Sequence, residues 1–171
     1  MAGFTGVYPN LRFDSDEMAW IWEAAAQHDL VVTLDLDAIG SLAYQTDAVK
    51  KIESQYPGLT IVIAHLAQPP FGSGSAAEAE TAWEEQVSLA RNANVWLDMS
   101  ALPALAAPED FPYPTAQSYL RRAVELVGAE IIMWGTDIPG LLLQATYAQL
   151  LSYVTRHCDF LSSKEKNLIL G

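Results

Sequence analysis

Two hydrophobic rhythms alternate along the chain. Short runs rich in β-branched residues, at 30–36, 60–65, 95–99 and 130–134, are each followed by a longer stretch in which apolar residues recur every three or four positions. Parallel strands need a crossover between them, usually a helix, so this alternation predicts βαβ units around a parallel sheet. A first strand is predicted at 6–9. Beyond it Asp14, with Glu17 three residues on, reads as a capping box opening a helix whose buried stripe is Met18, Ile21, Trp22 and Ala25. The second strand, 30–36, leads through Gly40-Ser41 to a helix at 46–55, which Tyr56-Pro57-Gly58 stops because proline cannot extend it. Strand three, 60–65, is nearly all apolar, as expected of a strand with helices on one face and a barrel interior on the other.

The second half repeats the rhythm. A Gly/Ser-rich loop at 68–75 precedes an acidic helix at 76–92, strand four at 95–99, a proline-bearing loop at 103–114, a helix at 115–127 capped by Gly128, and strand five at 130–134. Two helices close the chain, one at 143–157 and one from Ser162 onward, where Ser162 and Glu165 form another capping box. The expected fold is α/β, a partial (β/α)8 TIM barrel of about five sequential parallel βα units plus a C-terminal helix, with 1–171 a single domain. Its 171 residues fall short of the roughly 250 typical of a closed barrel. A doubly wound open sheet is the rival architecture, and strand order separates the two, since a doubly wound sheet reverses at a switch point.

Charge narrows the partners. Nine basic against 21 acidic residues give a net charge of −12, which repels phosphate backbones and anionic membrane surfaces, so neither nucleic acid nor membrane is expected as a partner. No apolar run approaches the roughly 20 residues that span a bilayer. The one cysteine, Cys158, cannot form an internal disulfide, and no charged-then-apolar leader precedes the first strand, so the cytoplasm is the expected compartment.

Ligands of parallel α/β folds gather at the C-terminal ends of strands. That rule selects Asp35 and Asp37 after strand two, His65 after strand three, Asp98 and Ser100 after strand four, and Asp137 after strand five. A neutral imidazole at His65 suits zinc or a similar divalent ion, although a histidine hydrogen-bonded in a core has the same appearance. Asp137, in Trp134-Gly135-Thr136-Asp137-Ile138-Pro139, can ligate an ion and take a proton from water, or can simply cap a turn. Asp35 and Asp37 alternate with leucines, so both are expected on one face. Asp98 is expected to orient a loop near the site, and Ser100 to cap or bond backbone. No phosphate loop, nucleophile elbow or zinc cysteine pair occurs.

Read in order, 3–11, 31–40, Tyr56-Pro57-Gly58-Leu59-Thr60-Ile61-Val62-Ile63-Ala64-His65-Leu66, Asn94-Val95-Trp96-Leu97-Asp98-Met99-Ser100 and Trp134-Gly135-Thr136-Asp137-Ile138-Pro139 resemble the amidohydrolase-related family over nearly the whole chain. The family contains metal-dependent hydrolases, lactonases and decarboxylases. The resemblance implies that these segments correspond to barrel strands four to eight. It also implies that Asp137 is the family's metal-binding and proton-transferring aspartate, that His65 is the sixth-strand histidine, and that Asp35 stands where a fifth-strand histidine is usual. Zinc is the ion implied first, with manganese second; the departure at Asp35 implies either an oxygen donor that favours a harder ion or a site that no longer binds metal as its relatives do. The family's His-x-His pair of strand one has no counterpart in these residues. The implied function is hydrolysis of a small organic acid, amide or lactone, or decarboxylation. The alternative is a catalytically incomplete fragment or non-catalytic subunit whose open barrel edge is covered by a complementing N-terminal chain or a second copy.

Overall fold

The computed structural model describes residues 3–6, 11–72 and 77–171. Its five strands are β1 (Gly3–Gly6), β2 (Val31–Leu34), β3 (Thr60–Ile63), β4 (Val95–Asp98) and β5 (Ile132–Met133). They form one parallel sheet in the order β1-β2-β3-β4-β5. Strand order equals chain order, so there is no switch point among the described residues and the doubly wound alternative falls. Of the first predicted strand, 6–9, Gly6 lies in β1 and the remainder lies outside the described residues.

Register sorts the side chains by face. Val32, Ile61 and Val95 lie abreast, as do Leu34, Ile63, Leu97 and Ile132, and all seven are buried in the main core cluster. The alternate positions include Thr33, Val62 and Trp96, then Asp98 beside Met133. Val62 is buried but outside that cluster, and Met133 is 36% exposed. One face of the sheet therefore carries the core, and the opposite face carries the polar strand ends. A strand side chain alternates between faces, so Asp35, one residue past β2, shares the face of Thr33.

The helices are α1 (Ala19–Gln27), α2 (Thr46–Gln55), α3 (Ala77–Val87), α4 (Leu102–Leu105), α5 (Pro114–Val127), α6 (Tyr147–Ser152) and α7 (Ser163–Leu170). Helix α2 has the bounds its apolar spacing predicts, burying Ala48, Val49 and Ile52. The Ser162–Glu165 capping box opens α7 as expected, and Gly128 ends α5 at a φ of +89°. The capping box at Asp14 does not form. The Asp14 carboxylate is held by Arg12 Nε at 2.9 Å and Lys51 Nζ at 2.6 Å, the chain from Arg12 to Met18 makes tight turns, and α1 starts only at Ala19. The single helix expected at 143–157 is also broken: a 3₁₀ turn (Gly140–Leu143) precedes α6, which Thr146 and Gln149 open with a capping box of their own, and a π-helical turn (Tyr153–His157) ends it. The 103–114 segment is not wholly loop, since α4 occupies its start.

Candidate active site

His65 stands just past the end of β3, and the backbone there turns in an unusual sense. His65, Leu66, Ala67 and Gln68 have φ of 56°, 52°, 58° and 53°, a left-handed turn of four non-glycine residues. Each such residue costs about 1–2 kcal/mol in a left-handed helical turn, so the turn persists only where surroundings hold it. Helix α3 does so. Trp83 Nε1 donates to the Leu66 carbonyl at 2.9 Å, and Gln86 Nε2 donates to the Ala67 carbonyl and to the Asp37 carbonyl, each at 3.2 Å. Gln86 is 1% exposed and thereby ties the loop after β2 to the loop after β3.

The His65 ring is held between two strand ends. Its Nδ1 lies 3.0 Å from Ser100 Oγ, beyond β4, and its Nε2 lies 3.9 Å from Asp35 Oδ2. Ser100 in turn donates its backbone N–H to Asp98 Oδ1 at 2.8 Å and its hydroxyl to Asp98 Oδ2 at 3.0 Å. Gly135 makes this pairing possible: a Cβ there would overlap Asp98 Oδ1 and stand 3.0 Å from Ser100 Cβ. Asp98 orients the neighbouring loop as its position predicts. The expectation for Ser100 is corrected, because its hydroxyl engages two side chains rather than backbone.

Asp35, Asp37, His65, Gln68 and Asp137 line one cavity of about 350 Å³ at the C-terminal end of the sheet. Asp137, like His65, has left-handed backbone, with φ 54°, a conformation that aspartate tolerates better than most residues. Burial pushes the Asp35 carboxyl above the ordinary carboxylate range, with His65 opposing and the charges of Asp37 and Asp137 adding to the rise. Asp98 is raised by burial too, against the two hydrogen bonds it accepts from Ser100. A larger groove of about 820 Å³ lies among side chains of α2, α3 and α5, such as Lys50, Glu53 and Glu84, on the helical flank away from the strand ends.

The donors suit a divalent ion in kind, one imidazole with carboxylates around it. In number they fall short: among the described residues no three His, Cys, Asp or Glu side chains are grouped closely enough to hold a metal ion. The structure brings His65, Asp35, Asp37 and Asp137 to one cavity, and residue type with strand-end position picks out these four from the sequence. The supporting residues Trp83, Gln86 and Gln68 escaped it, because they act through a left-handed turn that no local pattern announces.

A sequential parallel sheet with its core on one face and its polar cluster at the C-terminal strand ends is a segment of a βα barrel, with the cluster on the face where such barrels place their chemistry. The amidohydrolase family model matches residues 4–171, and the chain belongs to the amidohydrolase family. It is 30% identical over 177 aligned residues to the L-fucono-1,5-lactonase of Burkholderia ambifaria, an alignment covering 98% of this chain and 59% of that protein. An amidohydrolase from Burkholderia multivorans, solved with bound zinc, superposes with a TM-score of 0.80 at 21% identity, covering 100% of this chain and 62% of that one. A dihydroxybenzoic acid decarboxylase from a Polaromonas species, solved with bound manganese, superposes with a TM-score of 0.60 at 13% identity, covering 93% and 52%. The chain thus spans about three-fifths of the length of the lactonase and the zinc-bound amidohydrolase. No helix among the described residues is long and apolar enough to cross a membrane.

Proposed function

We propose that this chain supplies the proton-transferring side of a hydrolase site that opens lactones of small organic acids. The observation that carries the reading is the convergence of His65, Asp35, Asp37 and Asp137 in one cavity at the strand ends. The sequence likeness to a lactonase over nearly the whole chain favours lactones over amides and over decarboxylation. In this reading Asp137 takes the proton from attacking water; His65 and the carboxylates are donor types that a zinc or manganese ion would take, but among the described residues no three of them are grouped closely enough to hold one, so such an ion would depend on further donors. Such an ion supplies Lewis acidity that polarises the substrate carbonyl. The raised Asp35 carboxyl carries its charge more readily once a cation lies beside it.

The short donor set favours a second reading, a non-catalytic subunit that keeps the scaffold. Both are tested on the purified chain supplied with Zn²⁺ or Mn²⁺, assayed against 1,5-lactones of sugar acids, small amides and aromatic carboxylic acids, with bound metal measured by plasma mass spectrometry. The hydrolase reading expects lactone opening that falls about 10²- to 10⁴-fold in Asp137→Asn, the usual span for removing a general base. Turnover that persists in Asp137→Asn would overturn the role of that residue. An absence of both turnover and bound metal would leave the scaffold reading.

A further inference from the structure

We infer that Asp98, acting through Ser100, locks His65 in the tautomer protonated at Nδ1 and so presents a bare Nε2 to the cavity. The argument is one of donors and acceptors. A carboxylate only accepts hydrogen bonds, a hydroxyl has a single proton to give, and a neutral imidazole carries its proton on one nitrogen. Asp98 Oδ1 is taken by the Ser100 backbone N–H, and Oδ2 takes the Ser100 hydroxyl proton. With its proton committed to Asp98, Ser100 Oγ can only accept from the ring nitrogen 3.0 Å away, so the proton of His65 belongs on Nδ1.

Nε2 is then the lone-pair nitrogen, and it is the ring atom on the side of Asp35 and the cavity. Free imidazole side chains favour the opposite tautomer, with the proton on Nε2, so the relay acts against the intrinsic preference. Burial supports it, since Ser100 is 4% exposed and water has little access to compete for its hydroxyl. Gly135 supports it sterically, being the residue whose missing Cβ leaves Asp98 and Ser100 their space. Asp98 and Ser100 are positioning residues: they decide which electron pair His65 offers without lining the cavity themselves. The inference deepens the reading of His65 given above but stands on the hydrogen bonds alone, so hydrolysis can fail while the tautomer holds, and the reverse.

Asn in place of Asp98 inverts the logic. Its amide can donate to Ser100 Oγ, which frees the hydroxyl proton for Nδ1 and moves the ring proton to Nε2. The test is long-range ¹H–¹⁵N correlation NMR on the full chain with ¹⁵N-labelled histidine, in alkaline buffer with a chelator present, the His65 signals being those lost in His65→Gln. The wild type is expected to show a protonated Nδ1 and a bare Nε2. Asp98→Asn is expected to exchange the two, Ser100→Ala to fall back to the protonated Nε2 of free imidazole, and Ser100→Thr to keep the wild-type pattern. The unchanged signals of His28 and His157 report that each variant folds. A wild type protonated at Nε2 would overturn the inference outright. So would a protonated Nδ1 that survives both Asp98→Asn and Ser100→Ala, because the relay would then not be its cause.

Discussion

Asp35 and Asp14 illustrate how a carboxylate's surroundings set the sign of its effect on stability. Asp14 is held down to about 2 by hydrogen bonds from Arg12 and Lys51, so what it contributes is present above the ordinary carboxylate value of about 4 and is lost as pH falls through about 2. Asp35 runs the other way. Its carboxyl is raised by burial and by Asp37 and Asp137, so the folded chain binds that proton more tightly than the unfolded one. Its stabilising contribution is full below about pH 4 and is lost as pH rises through the raised value. Asparagine imitates the protonated form at every pH. Asp35→Asn is therefore expected to match the wild type in urea denaturation near pH 4 and to become progressively the more stable of the two towards pH 7, in metal-free buffer. A difference that stays constant with pH, or favours the wild type at neutrality, would show that Asp35 is not strained by its surroundings.

Helix α3 does at the level of elements what no strand end does alone: it fixes the turn that carries His65. Trp83 and Gln86 lie three apart on one face, and their side chains reach the carbonyls of Leu66, Ala67 and Asp37. Trp83→Phe keeps an aromatic ring but removes the donor to a buried carbonyl, a loss of about 1–3 kcal/mol. The same urea titration should register it, together with displaced His65 ring signals; Gln86→Leu should do likewise, whereas Trp20→Phe, at a site 66% exposed, should alter neither. Unmoved His65 signals in the first two variants would mean that the turn holds itself. The contrast with what the sequence made legible is physical. Period and caps announce α2 and α7, because residues within one helix decide them, and the strand runs announce where the strands lie, while their order is set by the pairing seen in the structure. The failed cap at Asp14 was decided by Arg12 two residues back together with Lys51 far along the chain, and the left-handed turn at His65 by α3, so neither followed from the capping pattern alone. The break before α6 is intermediate: Thr146 and Gln149 carry the capping signal, but the continuous apolar pattern around them masks it.

For the whole molecule, the unresolved demand is the sheet's open side. Among the described residues β1 pairs only with β2, and β5 only with β4, so each outer strand has an edge without a strand partner. Beside β5 and in the segments after it, Ile138 (42%), Leu142 (52%), Leu143 (88%) and Tyr147 (53%) are exposed. Large apolar side chains left exposed and strand edges without a strand partner both favour association, and a closed barrel removes edges altogether. Five sequential parallel strands leave three of a barrel's eight to be supplied, and the relatives that superpose on this chain extend well beyond it. We therefore propose that the occupant of this side is polypeptide bringing three further βα units. A second copy of this chain would bring five, more than one barrel has room for. The N-terminal remainder of the L-fucono-1,5-lactonase relative is a usable probe. Mixed with this chain and followed by size-exclusion chromatography with light scattering, it is expected to form a one-to-one complex that is lost when Leu142 and Leu143 are both changed to Glu. A homodimer of this chain that resists the probe and is dispersed by the same double substitution would instead assign the open side to a second copy.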